Sequence, residues 1–184
     1  MASEPRMAVE VRPAKSSDIK LLIDLDHNFS TEYVWQLDLG QERPEFAVGF
    51  REARLPRAMA VSYPRDPRLL EDDWQDRGAL VVAEAEARIF GYVCINTQIA
   101  PGALWITDLV VNTLHRRRGI GTRLMLQAQD WAREQGIRRV ILEMQSKNYP
   151  GIRLAQKLAY EFSGFNDRYY ENRDIALFFA KRLA

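Results

Sequence analysis

A mixed α/β sheet with helices on its faces is the fold class this sequence predicts, and three observations carry it. Ala79 to Ala85 (ALVVAEA) and Ile89 to Ile99 (IFGYVCINTQI) are β-rich runs separated by the polar break Glu86 to Arg88, the pattern of an antiparallel hairpin. Leu104 to Val111 (LWITDLVV) and Val140 to Met144 (VILEM) are further strands that enclose an amphipathic helix. A chain of 184 residues, 47% hydrophobic and 10% aromatic, is long enough to bury one core, so residues 1–184 are expected to form a single domain.

The elements follow in order. Val9 to Arg12 alternates as a strand, and Ser16-Ser17-Asp18 supplies an N-cap ahead of Ile19, Leu22, Ile23 and Leu25 at helical spacing. From Phe29 to Arg77 the pattern weakens. Pro44, Pro56, Pro64 and Pro67 punctuate it, with short helical stretches expected at Glu45 to Ala53 and Pro67 to Trp74. After the hairpin and the strand Leu104 to Val111, Gly119 to Gln135 places Ile120, Leu124, Ala128, Trp131 and Ala132 on one helical face and ends at Gly136. Pro150 to Leu158 reads as a short helix with Pro in its first turn. Tyr160 to Tyr170 and Ile175 to Arg182 close the chain as a strand pair. An antiparallel hairpin combined with strand, helix, strand units fits a mixed sheet covered by helices.

Composition excludes several classes. With 26 Lys+Arg against 25 Asp+Glu the chain is not built for bulk phosphate attraction, and 28% charged residues is a globular composition. Cys94 has no partner, and His27 and His115 alone offer no zinc framework, so neither metal nor disulfide is expected. No stretch approaches the about 18 apolar residues that span a membrane, and Met1 to Glu10 lacks a signal-peptide order. A cytoplasmic protein without membrane partners is the expectation. Of the basic residues 21 are Arg, which either serves bidentate anion recognition or reflects base-composition bias.

The most informative segment is Leu104 to Leu126, LWITDLVVNTLHRRRGIGTRLML. A strand runs into a basic turn, then two glycines one residue apart, then an amphipathic helix. Glycines at a helix start let backbone N–H groups approach an anion, and the helix dipole favours negative charge there. The Walker pattern fails because Thr122-Arg123 follows Gly121, and the dinucleotide fingerprint fails at Leu124.

Arg116-Arg117-Arg118-Gly119-Ile120-Gly121 resembles the coenzyme A pyrophosphate signature of the GCN5-related N-acetyltransferase (GNAT) superfamily, with Asn148 opening a later helix where that family places it. The resemblance runs from about Val9 to the C-terminus and is weakest between Phe29 and Arg77. It implies acetyl-CoA lying between two splayed parallel strands, Leu104 to Val111 and Val140 to Met144. Backbone groups of Leu109, Val110 and Val111 would pair with the pantetheine arm. Arg116, Arg117, Arg118, Gly119, Ile120, Gly121 and Thr122 would hold the pyrophosphate by their amides, and Asn148 and Ile152 would lie nearer the thiol end. A solvated basic turn or a nucleic-acid patch are the other readings of Arg116 to Arg118; without flanking aromatics or a wider basic field, no nucleic-acid partner is expected.

The family usually carries a Tyr seven residues after Asn148 to protonate the departing thiolate, and here that position is Ala155. A rival register uses Tyr160 with Gly164-Phe165, but Tyr160 falls beyond the helix and reads as a core aromatic. Loss of the acid is tolerable, because a thiol pKa near 8.5 makes thiolate a fair leaving group and general acid help is typically about 10²- to 10⁴-fold. Tyr149 is the nearest substitute in sequence, or it packs beside Pro150. The base that deprotonates an ammonium acceptor is expected from Asp108 or Glu143, on the two strands implied to flank the thioester, with a fold-stabilising carboxylate as the competing reading for each. Alternation points Glu143 opposite to Leu142 and Met144. Cys94, mid-strand and without a His nearby in sequence, reads as a buried thiol, so direct transfer in a ternary complex is expected. A solvated imidazole suffices for His27 and His115.

The acceptor is expected to be a primary amine, small molecule or protein N-terminus. Phe29 to Trp35 and Glu71 to Trp74 offer acidic and aromatic residues that would favour a cationic amine. The tail from Gly164 to Phe179 is similar to that of streptothricin-type acetyltransferases, and the central motif also resembles ribosomal-protein alanine acetyltransferases. With Ala155 in place of the acid, a non-catalytic acyl-CoA-binding module is the alternative. The apolar run Ile175 to Ala180 would permit a homodimer through the last strands, or serve as a core strand.

Overall fold

The computed structural model describes residues 8–40 and 47–184. The elements run β1 (Glu10–Pro13), a 3₁₀ turn (Ser16–Asp18) into α1 (Ile19–Ile23), β2 (Phe29–Gly40), β3 (Ala47–Val61), α2 (Leu69–Asp73), β4 (Ala79–Ala85), β5 (Arg88–Asn96), β6 (Ala103–Val111), a 3₁₀ turn (Thr113–His115), α3 (Ile120–Glu134), β7 (Arg139–Gln145), α4 (Tyr149–Lys157), β8 (Glu161–Asn166) and β9 (Ala176–Arg182). One sheet has the order β1-β4-β5-β6-β7-β9-β8, and β2 and β3 form a separate hairpin. Within the large sheet β6 and β7 pair in parallel and the remaining neighbours are antiparallel. This is the mixed sheet that the hydrophobic pattern predicts.

Alternation on the strands builds two apolar layers. Val81, Ala83, Val93, Ile95, Leu104, Ile106, Val140, Leu142 and Met144 face α3 and α4, while Leu80, Val82, Tyr92, Cys94 and Val110 join Ile19, Leu22 and Leu70 of α1 and α2. On α3 the predicted stripe is buried at Ile120, Leu124, Ala128 and Ala132, with Trp131 at its margin, and Met125 is buried beside it. Fully burying a side chain such as Leu124 contributes about 1.5–3 kcal/mol. The helix stops because Gly136 takes φ 70°, its N–H bonding the Arg133 carbonyl (3.0 Å) while Ile137 N–H reaches Ala132 (2.8 Å). At the β4–β5 hairpin Glu86 and Ala87 both adopt positive φ (50° and 58°), the turn that matches strand twist.

Two expectations need correction. The helix expected at Glu45 to Ala53 is a strand over 47–53, while Pro44, Glu45 and Phe46 lie outside the described residues, as does most of the N-terminal segment Met1 to Glu10. The register Leu37↔Phe50 and Trp35↔Glu52 puts Trp35, Leu37 and Phe50 on one face. Trp35 and Phe50 then pack on Phe162 (6.1 and 5.4 Å between ring centroids), and the Trp35 N–H bonds the Ser146 carbonyl at 2.9 Å. Contacts with distant β8 override a local spacing that reads as helical. Pro56 is accommodated because the pairing skips from Met59 to Arg54, leaving it in an irregular stretch. The Ser16–Asp18 stretch is itself a 3₁₀ turn, with the Asp18 carboxylate accepting from the Lys15 N–H at 2.8 Å and from Arg12. Of the two readings of Ile175 to Ala180 the core strand holds, because β9 is paired on both sides by β7 and β8, and β8 forms the edge of the sheet. Among the described residues no helix is long and apolar enough to cross a membrane.

Candidate active site

The parallel pairing of β6 with β7 covers Ala103 to Ile106 against Arg139 to Leu142 and goes no further, although β6 runs on to Val111 and β7 to Gln145. The cause lies in a bulge. Cys94 faces Asp108 whereas Ile95 faces Ile106, so Thr107 is an extra residue in β6. The insertion reverses which side chains face which layer. Leu104 and Ile106 point to the α3 side, but Val110 points to the α1 and α2 side. Beyond the bulge the strands part into a cleft.

Asn112 N–H bonds the Phe90 carbonyl at 2.7 Å and Val110 lies opposite Tyr92, so alternation turns the peptide groups of Leu109 and Val111 away from β5 and toward the open side. Val110 pairs back into the sheet and cannot also pair with a ligand, which corrects its inclusion among the cofactor-pairing residues. The Val111 carbonyl is met by Arg116 Nε at 2.9 Å, leaving the Leu109 groups and the Val111 N–H on the open side.

At the mouth of the cleft Arg117 (φ 64°) and Gly119 (φ 84°) turn the chain into α3. The first backbone bond into the helix joins Arg123 N–H to the Gly119 carbonyl (3.0 Å), so the amides of Ile120, Gly121 and Thr122 belong to the unsatisfied first turn. The two glycines do different work. A Cβ on Gly119 would meet open space, so its role is conformational, whereas one on Gly121 would come within 3.3 Å of Leu154 on α4. Arg117 and Arg118 are exposed beside these amides, a donor set that fits a pyrophosphate. Arg116 departs from the expected role. Its amide bonds the Thr113 carbonyl, and its half-buried guanidinium ties Val111 to the Asn28 carbonyl (2.8 Å), burial lowering its pKa. Asn148 accepts the Gly151 N–H through Oδ1 (2.9 Å), capping α4, and Ile152 is fully buried with its N–H on the Asn148 carbonyl. Ile152 is therefore a core residue with no group free for a ligand.

On the opposite face of the cleft the structure brings Asp108 and Glu143 together. Both are buried, and Glu143 does point away from Leu142 and Met144. Asp108 accepts from the Tyr63 hydroxyl, from Thr107 Oγ1 (2.8 Å) and from Arg77 Nη1 (3.0 Å). Glu143 accepts from Arg65 and from the Tyr169 hydroxyl (3.2 Å). Arg65 spans the two, with Nη1 on the Thr107 carbonyl (2.9 Å) and 3.6 Å from Asp108. Arg77 is shared with Asp73 of α2 (2.7 Å). Tyr169 and Tyr170 are set by the loop before β9. There Asp174 accepts from Gln145 Nε2 (2.7 Å) and pairs with Lys147, and its carbonyl takes the Tyr169 N–H (3.1 Å). Burial raises the Tyr170 phenol far above its usual range.

His27, expected to be solvated, is buried. Its Nδ1 lies 2.6 Å from the Leu25 carbonyl and so carries the proton, leaving Nε2 to accept from the Tyr92 hydroxyl (3.1 Å). Burial holds its pKa below the ordinary value. His115 tilts against Phe90 (4.2 Å). Cys94 is fully buried, its thiol pushed up to about 11 by desolvation, which suits a structural role. Ala155 lies in α4 as counted, and Tyr160 is a core residue bonded to Gln129 (3.2 Å). Tyr149 stacks on Tyr33 of the hairpin (5.0 Å). Sequence reasoning missed Tyr63, Arg65, Arg77 and Tyr92. Tyr63, Arg65 and Arg77 lie in a segment without a period, Tyr92 reads only as one residue of a predicted strand, and the Tyr169-Tyr170 doublet was the one available signal nearby.

The sequence and the fold have known counterparts. The chain is 26% identical over 167 residues to streptothricin acetyltransferase of Streptomyces lavendulae, covering 88% of this chain and 86% of that protein. In fold it matches the crystal structure of nourseothricin acetyltransferase (TM-score 0.82, 22% identity, 96% and 99% of the two chains). It also matches a candidate streptothricin acetyltransferase from Bacillus anthracis str. Ames in complex with acetyl coenzyme A (TM-score 0.76, 19% identity, 96% and 100%). The model of the acetyltransferase (GNAT) family matches residues 44–160, which contain the parted strands, the bulge at Thr107 and the glycine turn, and the chain belongs to that family.

Proposed function

We propose that this N-acetyltransferase moves an acetyl group from acetyl-CoA to the primary amine of a small cationic molecule of the streptothricin class, by direct attack within a ternary complex. The observation that carries the reading is the parting of β6 and β7 at Thr107, with free backbone groups of Leu109 and Val111 leading from the glycine turn toward two buried carboxylates. Acetyl-CoA supplies a thioester carbonyl, which the acceptor nitrogen attacks as the C–S bond breaks and CoA leaves as thiolate. The amides of Ile120, Gly121 and Thr122, with Arg117 and Arg118, hold the pyrophosphate. Asp108, saturated by three donors, anchors the cleft wall. Glu143 has fewer fixed donors and takes the proton that the acceptor ammonium must lose. With Ala155 at the usual acid position, the thiolate leaves without a protein proton donor.

The test incubates the protein with acetyl-CoA and streptothricin, spermidine, L-lysine amide or a peptide beginning with alanine, following free thiol and acetylated product. Turnover of streptothricin or spermidine with little on the peptide is expected. Thermal stabilisation by acetyl-CoA with no transfer to any amine would instead make the chain a binding module.

A further inference from the structure

The proposed acceptor site already holds a cation. Arg65 comes from the connection between β3 and α2, and its guanidinium meets carboxylates on both parted strands, Asp108 and Glu143. Its carbon also sits 5.3 Å from the centroid of the Tyr170 ring. Two buried carboxylates and an aromatic face are the partners an organic cation seeks, and here one side chain of the protein takes them all. The fit is close. The cavity left beside Arg65, lined by Tyr63, Arg77, Tyr92 and Asp108, measures about 10 Å³, room for no more than a water. Among the described residues the buried Tyr170 hydroxyl completes no hydrogen bond, with the Glu143 carboxylate as the acceptor beside it. The backbone of the connection is held, and the side chain is held only by the polar and aromatic contacts that a competing cation would take over. Tyr63 N–H bonds Asn28 Oδ1 (2.9 Å), Pro64 and Pro67 flank Arg65, and the Arg65 side chain remains 25% exposed, with solvent to swing into.

We propose that Arg65 is a resident stand-in for the acceptor's ammonium group: it neutralises Asp108 and Glu143 in the empty enzyme and swings out when an acceptor takes its place. This rests on the acetyltransferase reading above. Arg65 thereby sets a threshold that a cationic amine passes, because it restores the charge balance, and an uncharged ligand does not. It also keeps Glu143 from accepting a proton until the acceptor arrives.

The experiment compares wild type with Arg65→Met and Arg65→Lys. If Arg65 occupies the site about nine-tenths of the time, its removal lowers the acceptor KM about tenfold and leaves the acetyl-CoA KM unchanged. Ethylguanidinium, the tip of the missing side chain, then inhibits Arg65→Met competitively against the acceptor and raises its melting temperature, with neither effect in wild type. An acceptor KM that rises or stays level in Arg65→Met overturns the proposal, as does indifference of that variant to ethylguanidinium. Should Arg65→Met not fold, Arg65→Lys, which keeps the charge but loses the fork, must show the same changes in smaller degree; an unchanged KM and no response to ethylguanidinium there refute it. If wild type acetylates no amine, the acetyltransferase reading has failed, while the ethylguanidinium melting shift still tests the cation site by itself.

Discussion

Asp108→Asn separates an anchoring carboxylate from a catalytic one. The carboxylate accepts from Tyr63, Thr107 and Arg77 and lies 3.6 Å from Arg65. Asparagine keeps one acceptor oxygen and presents an NH₂ where the other stood, so at least one donor meets a donor. Breaking a buried ion pair costs about 3–5 kcal/mol when the remaining charge is left alone. Here Arg77 keeps Asp73 and Arg65 keeps Glu143, which puts the loss near the low end, about 3 kcal/mol. Solvent screening is weak, because the Asp108 and Arg77 side chains are only 5% and 15% exposed. For a chain of this size that corresponds to a melting temperature lower by roughly 6–12 °C. Calorimetry of Asp108→Asn, Arg77→Met and the double variant should reveal a coupling of about 1.5 kcal/mol or more between the two sites. A drop below about 2 °C accompanied by lost turnover would refute the anchoring role and make Asp108 the base.

Three further outcomes are expected. Gly119→Ala places a side chain at φ 84° with open space around it, so the cost is conformational, about 1–2 kcal/mol, and steady-state kinetics should show a raised acetyl-CoA KM; an unchanged KM and melting temperature would contradict the left-handed turn. His27 is held below its ordinary 6.5 by burial, with Asp26 and Asp108 opposing and Arg116 reinforcing, so the unfolded chain binds its proton first. The stability it contributes is whole above pH 6.5 and declines as pH falls below it, by at most about 1.4 kcal/mol per unit, and His27→Gln should flatten denaturation curves measured between about pH 7.5 and 5.5. Tyr149→Phe should change kcat less than about threefold across pH, because the ring is stacked on Tyr33, whereas a loss of 10²-fold or more would reinstate its phenol as the acid.

Periodic segments were legible in the sequence, because their partners lie on the neighbouring strand or one helical turn away. Val140 to Met144 announces a buried strand and places Glu143 opposite its apolar neighbours. Gly119-Ile120-Gly121 announces a left-handed turn into a helix from the conformation it demands. What stayed hidden depends on contacts without period. The β2–β3 hairpin is held by Trp35 and Phe50 meeting Phe162, over a hundred residues later in sequence. Val110 cannot be told from Leu109 and Val111 until the bulge at Thr107 decides which peptide groups face the cleft. Arg65 is the clearest case, since Tyr63-Pro64-Arg65-Asp66 carries no motif and gains meaning only where the parted strands set Asp108 and Glu143 around it.

The surplus of Arg over Lys gains a physical content from the same geometry. Arg65 bridges Asp108 and Glu143, Arg77 bridges Asp73 and Asp108, and Arg12 bridges Asp18 and Glu84, each joining carboxylates held by different elements. A planar fork with separated N–H groups can address two such acceptors at once, which a single ammonium on a flexible stem does with less geometric definition. In the cleft this has a chemical consequence. Arg65 cannot be deprotonated at working pH, so in the proposed exchange it yields Glu143 only by moving and never by losing its own proton, and the proposed base becomes free when another cation arrives.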